Sequence, residues 1–144
     1  MQQTQLEELL NEVRLLYQSM LQLGEEVHAD SRISMGMRAV LEYLTREGDA
    51  TVPHMARARR VTRQRMQTLV NALLDLALVE KRENPESRRS YLITPTAAGR
   101  ETMRQMRRRE GRIFRTQVTA ARLNAAVKVL RDVRRSLESG RSED

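Results

Sequence analysis

The sequence predicts a mainly α-helical chain interrupted by one small β-hairpin, and three observations carry that expectation. Apolar residues recur at helical spacing at both ends of the chain and again in its middle. Aromatic residues make up only 3% and tryptophan is absent, so Leu, Val, Met and Ala must build the core, which favours helix on helix. A single stretch, VEKRENPESRRSYLITPT, places β-compatible residues on both sides of a turn.

At 144 residues the chain is long enough for one real core and too short for a two-domain enzyme. Charged residues at 31% beside 40% hydrophobic ones give a globular composition, not a disordered one. The longest apolar run, Leu76 to Val79, falls far short of the roughly 20 residues of a membrane-crossing helix. The start, MQQTQLEELL, lacks the basic leader and apolar core of a secretory signal, so a cytoplasmic protein is expected. Cysteine is absent, which excludes disulfides, thiolate metal sites and thiol redox sensing.

The 26 basic and 19 acidic side chains leave a formal +7, and their order says more than their sum. Residues 1–50 hold 4 basic and 9 acidic side chains, net −5; residues 51–115 hold 16 and 6, net +10; residues 116–144 hold 6 and 4, net +2. A centre this basic implies a polyanion partner, carried on a frame whose ends are employed differently. Apart from Lys81 and Lys128 every basic residue is Arg, whose planar fork suits phosphate and guanine. A GC-rich coding sequence would produce the same bias.

In chain order, the first element is a helix within residues 1–30. Leu6, Leu9, Val13, Leu16, Met20, Leu23 and Val27 alternate steps of three and four, an apolar seam that repeats every seven residues. Residues 34–47 place Met37, Val40, Leu41 and Leu44 on one helical face, and Gly48-Asp49 ends the segment. Thr51 then reads as the N-cap of a short helix that tolerates Pro53 in its first turn and turns Met55 and Ala56 inward. After a turn at about Arg59 to Val61, Thr62 is a second N-cap. Met66, Leu69, Val70, Leu73 and Leu76 form the buried stripe beyond it, with Arg63, Gln64, Arg65, Gln67, Thr68 and Asn71 opposite.

Helix, tight turn, then a helix with a polar and basic first turn is the helix-turn-helix pattern. Its chemistry fits a major groove: Arg donates two bonds to guanine, Gln and Asn pair with adenine, and Thr offers a hydroxyl and a methyl. Residues 79–83 and 89–94 then flank Asn84-Pro85-Glu86-Ser87 as a hairpin, with Arg88 and Arg89 just past its tip. A basic hairpin in that place makes a wing that can follow the backbone and enter a minor groove. Arg57, Arg59, Arg60, Lys81 and Arg82 are further candidate phosphate contacts.

Thr96 caps another helix, on which Arg100, Arg104, Arg107, Arg108, Arg109, Arg112 and Arg115 crowd around Met103, Met106, Ile113 and Phe114. The simplest reading is an exposed charged face. Sharper readings let these arginines attract an acidic ligand, pair with the acidic first helix of a partner subunit, or touch phosphate near the wing. Leu123, Ala126, Leu130, Val133 and Leu137 repeat the apolar seam near the end of the chain. Either seam could cover its own core, but two at opposite termini of a short chain are better explained by interlocking in a dimer.

Other chemistry finds little support. His28 and His54 are isolated and form no ligand set of known spacing, so no metal or cofactor is expected. His28 is expected at the surface or on a pocket rim. No nucleophile, base and orienting acid can be assembled, so the chain is not expected to be an enzyme. The eight methionines sit mostly at apolar helical positions and read as core filler.

Residues 34–107 resemble the winged helix-turn-helix of the MarR (multiple antibiotic resistance regulator) family. The matching residues are Thr51-Val52, Met55-Ala56, Val61-Thr62-Arg63-Gln64, Leu69-Val70, Leu73, Leu78-Val79-Glu80, Asn84-Pro85-Glu86, Arg88-Arg89, and Thr96 followed by Gly99-Arg100. The family's long terminal helices, which intertwine into a dimer, fall where the two seams lie. The resemblance implies a homodimeric regulator on a pseudopalindromic double-stranded DNA operator, its binding weakened in many members by a small phenolic or aromatic-carboxylate ligand; a repressor is the expectation here. A pocket for such a ligand, between dimerisation helices and winged region, would draw on Tyr17, Met20, His28, Met35, Met37, Tyr43 and Met106. Four positions depart from the family pattern: Ser87 replaces Asp, Arg60 and Ala77 replace turn glycines, and Pro95 replaces Leu.

The organisation expected is thus a dimerisation helix at 1–30, a winged helix-turn-helix at 34–96, C-terminal helices at 97–139 completing the dimerisation region, and a tail at 140–144. The seam residues expected to dimerise are Leu6, Leu9, Val13, Leu16, Met20, Leu23, Leu123, Leu130, Val133 and Leu137. The competing expectation is a helical dimer whose winged domain docks on an acidic protein partner, as an adaptor or anti-repressor would.

Overall fold

The computed structural model describes residues 1–140 and is mostly helical with a two-stranded antiparallel hairpin; residues 141–144 of the expected tail lie outside the described residues. The element order is α1 (Gln2–Val27), α2 (Met35–Glu47), α3 (Val52–Arg59), α4 (Arg63–Asp75), β1 (Val79–Asn84), β2 (Ser87–Pro95), α5 (Ala97–Ile113) and α6 (Ala120–Ser139). Two compact units result, the first Met1–Ile113 and the second beginning at Phe114.

Short hydroxyl side chains set the helix starts. Ser34, Thr51, Thr62 and Thr96 accept from the backbone N–H of Met37, His54, Arg65 and Gly99, each three residues on, at 3.0–3.2 Å. Thr96 also donates to the Ala77 carbonyl at 2.8 Å, tying the start of α5 to the end of α4. Gly99 follows from that closeness, because a Cβ there would lie 2.0 Å from the Leu78 carbonyl oxygen.

Two non-glycine residues occupy the left-handed region, and both stand at turns. Arg60 (φ 55°) ends α3, and Ala77 (φ 54°) follows α4. At the latter, Ala77 N–H donates to the Leu74 carbonyl and Leu78 N–H reaches back to Leu73, closing the last turn. The helix stops at Asp75, so Leu76 is half-buried at the C-cap and does not extend the core stripe fully.

The core of the first unit gathers Met37, Val40, Leu41 and Leu44 of α2, Met55 and Ala56 of α3, Met66, Leu69, Val70 and Leu73 of α4, Val79 and Ile93 of the hairpin, and Met103 and Met106 of α5. The first half of α5 therefore packs as part of the winged core. Ile113, at its end, is half exposed, against the expectation that it shares the apolar face. The hairpin pairs Val79 with Pro95 and Lys81 with Ile93, and a bulge after Arg82 lets Asn84 meet Ser87 across a two-residue loop. Ala50 adds a bridge to Ile93 in both directions, anchoring the α2–α3 loop to the wing.

Most of α1 is exposed: among residues 1–20 only Leu9 and Leu10 are half-buried. Its C-terminal part is seated, with Gly24 against the Met35 side chain. In the second unit, α6 is capped by Thr119, and its Leu123, Leu130 and Leu137 are exposed. No helix among the described residues is long and apolar enough to cross a membrane.

Candidate nucleic-acid interface

The polar face of α4 is built by periodicity. At 100° per residue, Met66, Leu69, Val70 and Leu73 share the buried side, while Gln64, Gln67, Thr68 and Asn71 centre on the opposite one. Arg63 and Arg65 fall on opposite flanks of that polar face, and the structure separates them. Arg63 lines a groove of about 490 Å³ between α4 and the wing. Arg65 leans the other way, its Nη2 lying 3.5 Å from where a Cβ on Gly36 of α2 would stand.

Val52 and Pro53 of α3, Arg63, Gln64 and Gln67 of α4, and Lys81, Arg89, Ser90, Tyr91 and Ile93 of the hairpin line this groove. Strand alternation explains the wing side: Arg89, Tyr91 and Ile93 share one face, and Arg88 takes the other. Lys81, opposite Ile93 in register, sets its Nζ 5.6 Å from the Tyr91 ring centroid, a cation–π contact at the wing base. Three cations and two amides thus face one concavity. That arrangement suits a phosphate-flanked base edge.

The seven candidate reading residues differ in what their side chains already do. Thr62 caps α4, Thr68 donates to the Gln64 carbonyl at 3.0 Å, and Gln67 donates to Asn71 at 2.8 Å. Arg63 and Gln64 hold no side-chain hydrogen bond or ion pair among the described residues, and both are exposed. At the wing, Asn84 accepts from Glu86 N–H and Ser87 accepts from Arg89 N–H at 3.2 Å, so Ser87 orders the backbone at Arg89. Arg82 lies 3.7 Å from Asp49, an exposed pair that competes weakly with phosphate. Arg57, Arg59 and Arg60 are exposed along the α3–α4 turn.

The seven candidate pocket residues take several places, with Met37, Met106 and Tyr43 in or against one core cluster. Met37 and Met106 are core residues, Met35 packs on Gly24, and Tyr43 lies 6.4 Å from His54, ring to ring. Tyr17 and Met20 are exposed on α1. His28 is buried, contrary to the surface or rim position expected for it. A turn after α1 carries it under α5, where it lies 3.0 Å from Glu110 Oε1. No three His, Asp or Glu side chains among the described residues gather as a metal site.

Glu110 is the residue that reading the sequence missed. It lies on the stripe Gly99, Met103, Met106, Glu110, and an acid on a buried stripe demands a buried cation. Arg38 supplies it, donating Nε to Glu110 Oε1 and Nη2 to Oε2, with Nη1 on Glu42 at 2.6 Å. Burial alone would raise the Glu110 pKa, but the bonds from Arg38 and His28 hold it below the usual carboxylate range. An ionised carboxylate only accepts, so His28 presents Nε2–H to it, and the buried Nδ1 is left without a partner among the described residues.

A family model for MarR proteins matches residues 38–90, from the first turn of α2 into β2. The crystal structure of a MarR family transcription regulator superposes with a TM-score of 0.79 at 25% identity, covering 99% of this chain and 97% of that one. Residues 38–90 carry the winged core of the MarR family, and the chain has the fold of its regulators. Staphylococcus aureus MarR, solved with salicylate and kanamycin, has the same fold at 17% identity and TM-score 0.76, with 92% of each chain covered. Bordetella bronchiseptica BpsR, whose DNA binding is regulated by 6-hydroxynicotinic acid, matches at 21% identity and TM-score 0.70, covering 85% of this chain and 90% of that one. No curated protein matches the chain. The MarR proteins it resembles are transcription regulators, and DNA-binding regulation fits the surface formed by α4 and the wing.

Proposed function

We propose that the chain is a homodimeric, sequence-specific repressor whose α4 enters the major groove of a pseudopalindromic operator. One observation carries this reading. Arg63 and Gln64 have no side-chain partner among the described residues and line a groove whose other wall holds Lys81 and Arg89. Arg63 matches the two acceptors of guanine, and Gln64 matches adenine. Arg88 and Arg89 contact flanking backbone or minor groove. The exposed seams of α1 and α6 form the dimer, so two α4 helices reach major grooves about one helical turn apart. In this division of labour residues 34–96 read DNA while 1–30 and 97–139 hold the dimer.

Release by a small aromatic acid is the regulation we propose, since S. aureus MarR binds salicylate and BpsR responds to 6-hydroxynicotinic acid. Such a ligand acts by favouring dimers whose two α4 helices are wrongly spaced. A gel-shift series on DNA upstream of the chain's own gene tests the reading. For six to ten phosphate contacts, affinity should fall by about 10³–10⁵ between 50 and 200 mM salt, with the specific site outlasting random DNA. Equal affinity for all sequences, or an acidic protein bound in preference to DNA, would reject it.

A further inference from the structure

Lys81 is one of only two lysines among the 26 basic residues, and its place is as distinct as its chemistry. It stands on β1 opposite Ile93, on the hairpin face that turns toward α4, with its Nζ 5.6 Å from the Tyr91 ring centroid. Tyr91 is 56% exposed, too open to serve as a core residue. It shares one face of β2 with Arg89 and Ile93 and lines the groove together with Lys81, Arg63 and Gln64. Among the described residues no ion pair engages Lys81, and the Tyr91 ring is its one partner. Arg82, next along β1, lies instead 3.7 Å from Asp49.

A lysine stem is long and flexible, so fixing it on a phosphate costs conformational entropy at the moment of binding. A ring face against the ammonium restrains the stem beforehand and removes part of that cost. The ammonium is a point charge, which suits a phosphate oxygen better than the paired acceptors of a base edge. With α4 in the major groove and the wing tip at the minor groove, one DNA strand must cross the groove between them. We propose that Tyr91 is a positioning residue for DNA binding: its ring holds Lys81 ready for a phosphate of the strand that passes between α4 and the wing. The inference rests on the DNA-reading role proposed for α4. It adds how the wall opposite Arg63 and Gln64 takes hold of the backbone.

The test measures binding of full-length chains to duplex DNA from upstream of the chain's own gene, in a salt series from about 50 to 200 mM. Lys81→Met should weaken binding and lower the salt slope by about 0.9, the loss of one phosphate contact. Tyr91→Leu should weaken binding about two- to fivefold with the slope unchanged, since the ammonium is present but no longer held. The unchanged slope also shows that the interface is still folded. Tyr91→Phe keeps the ring and should bind like the wild type. Tyr91→Leu added to Lys81→Met should cost nothing further, the sign that the ring acts through the ammonium. A Tyr91→Phe chain as weak as Tyr91→Leu assigns the contact to the hydroxyl and overturns the inference. Full affinity in Tyr91→Leu makes the ring a brace for the hairpin alone and overturns it too, as does an undiminished loss on top of Lys81→Met. These results leave the DNA-reading role standing, because the wild type still prefers its upstream DNA. A wild type without that preference removes the reading and this inference with it.

Discussion

Arg38 of α2 and Glu110 of α5 meet as a two-pronged ion pair under the end of α1, with His28 on the same carboxylate. Both side chains are mostly buried, at 15% and 9% exposure. The turn after α1, α2 and α5 are thus joined at one point by side chains far apart in sequence. Burial opposes the Arg38 charge, but the bonds to Glu110 and Glu42 leave its pKa raised, so the guanidinium is charged at every working pH.

Glu110→Gln should therefore destabilise the chain by about 2 kcal/mol at neutral pH, because Arg38 keeps a buried charge and loses its counter-charge. The pH dependence has a definite sign. The Glu110 pKa is lowered in the folded chain from its ordinary 4.5. Its contribution is thus complete above the unfolded value and is lost as pH falls through the folded one. Denaturant midpoints of wild type and variant should stay a constant distance apart at neutral pH and converge once pH drops below the ordinary glutamate value. A gap that persists undiminished to strongly acid pH would show that the pair is not its source.

Ala77→Gly should stabilise the fold. Alanine in the left-handed region carries a steric cost of about 1 kcal/mol that glycine escapes, partly offset by the greater freedom of glycine in the unfolded chain. A rise of a few tenths to about 1 kcal/mol is expected, seen as a small increase in Tm. Gly48, at φ 95°, is the control. Gly48→Ala should lower Tm although a Cβ there meets nothing.

Gly99→Ala should be far worse than either. Its Cβ would fall 2.0 Å from backbone oxygen of Leu78, which cannot rotate away as a side chain would. The start of α5 must shift, breaking the Thr96 hydrogen bonds to Ala77 and Gly99. A loss of about 3 kcal/mol or more is expected from denaturant unfolding.

What was legible in the sequence was local. The caps Thr51, Thr62 and Thr96 and the turn at Asn84 to Ser87 each depend on residues a few positions away, so their chemistry is readable from spacing. The buried stripe of α4 is equally periodic. The His28–Glu110 contact joins residues 82 positions apart, and no period in the sequence pairs them. His28 looked solvent-facing because the residues beside it, Glu25, Glu26 and Asp30, are charged. Arg63 and Arg65 looked alike for a related reason: helical phase places them on different flanks, but only the positions of Gly36 and the wing show what each flank faces.

That separation makes the last prediction. Arg63→Ala should cost about 1–3 kcal/mol at the operator and relax preference at one base step, because its fork faces the groove beside Gln64. Arg65→Ala, on the flank toward α2, should weaken specific and random DNA alike, as a backbone contact does. Arg88→Ala, on the opposite strand face from Arg89, should behave like Arg65→Ala and lower the salt slope by about one phosphate contact. Competition binding against a panel of single-base operator changes separates the classes. If Arg63→Ala left the ranking of that panel intact while Arg65→Ala scrambled it, the reading edge of α4 would be the side toward α2 and not the side toward the wing.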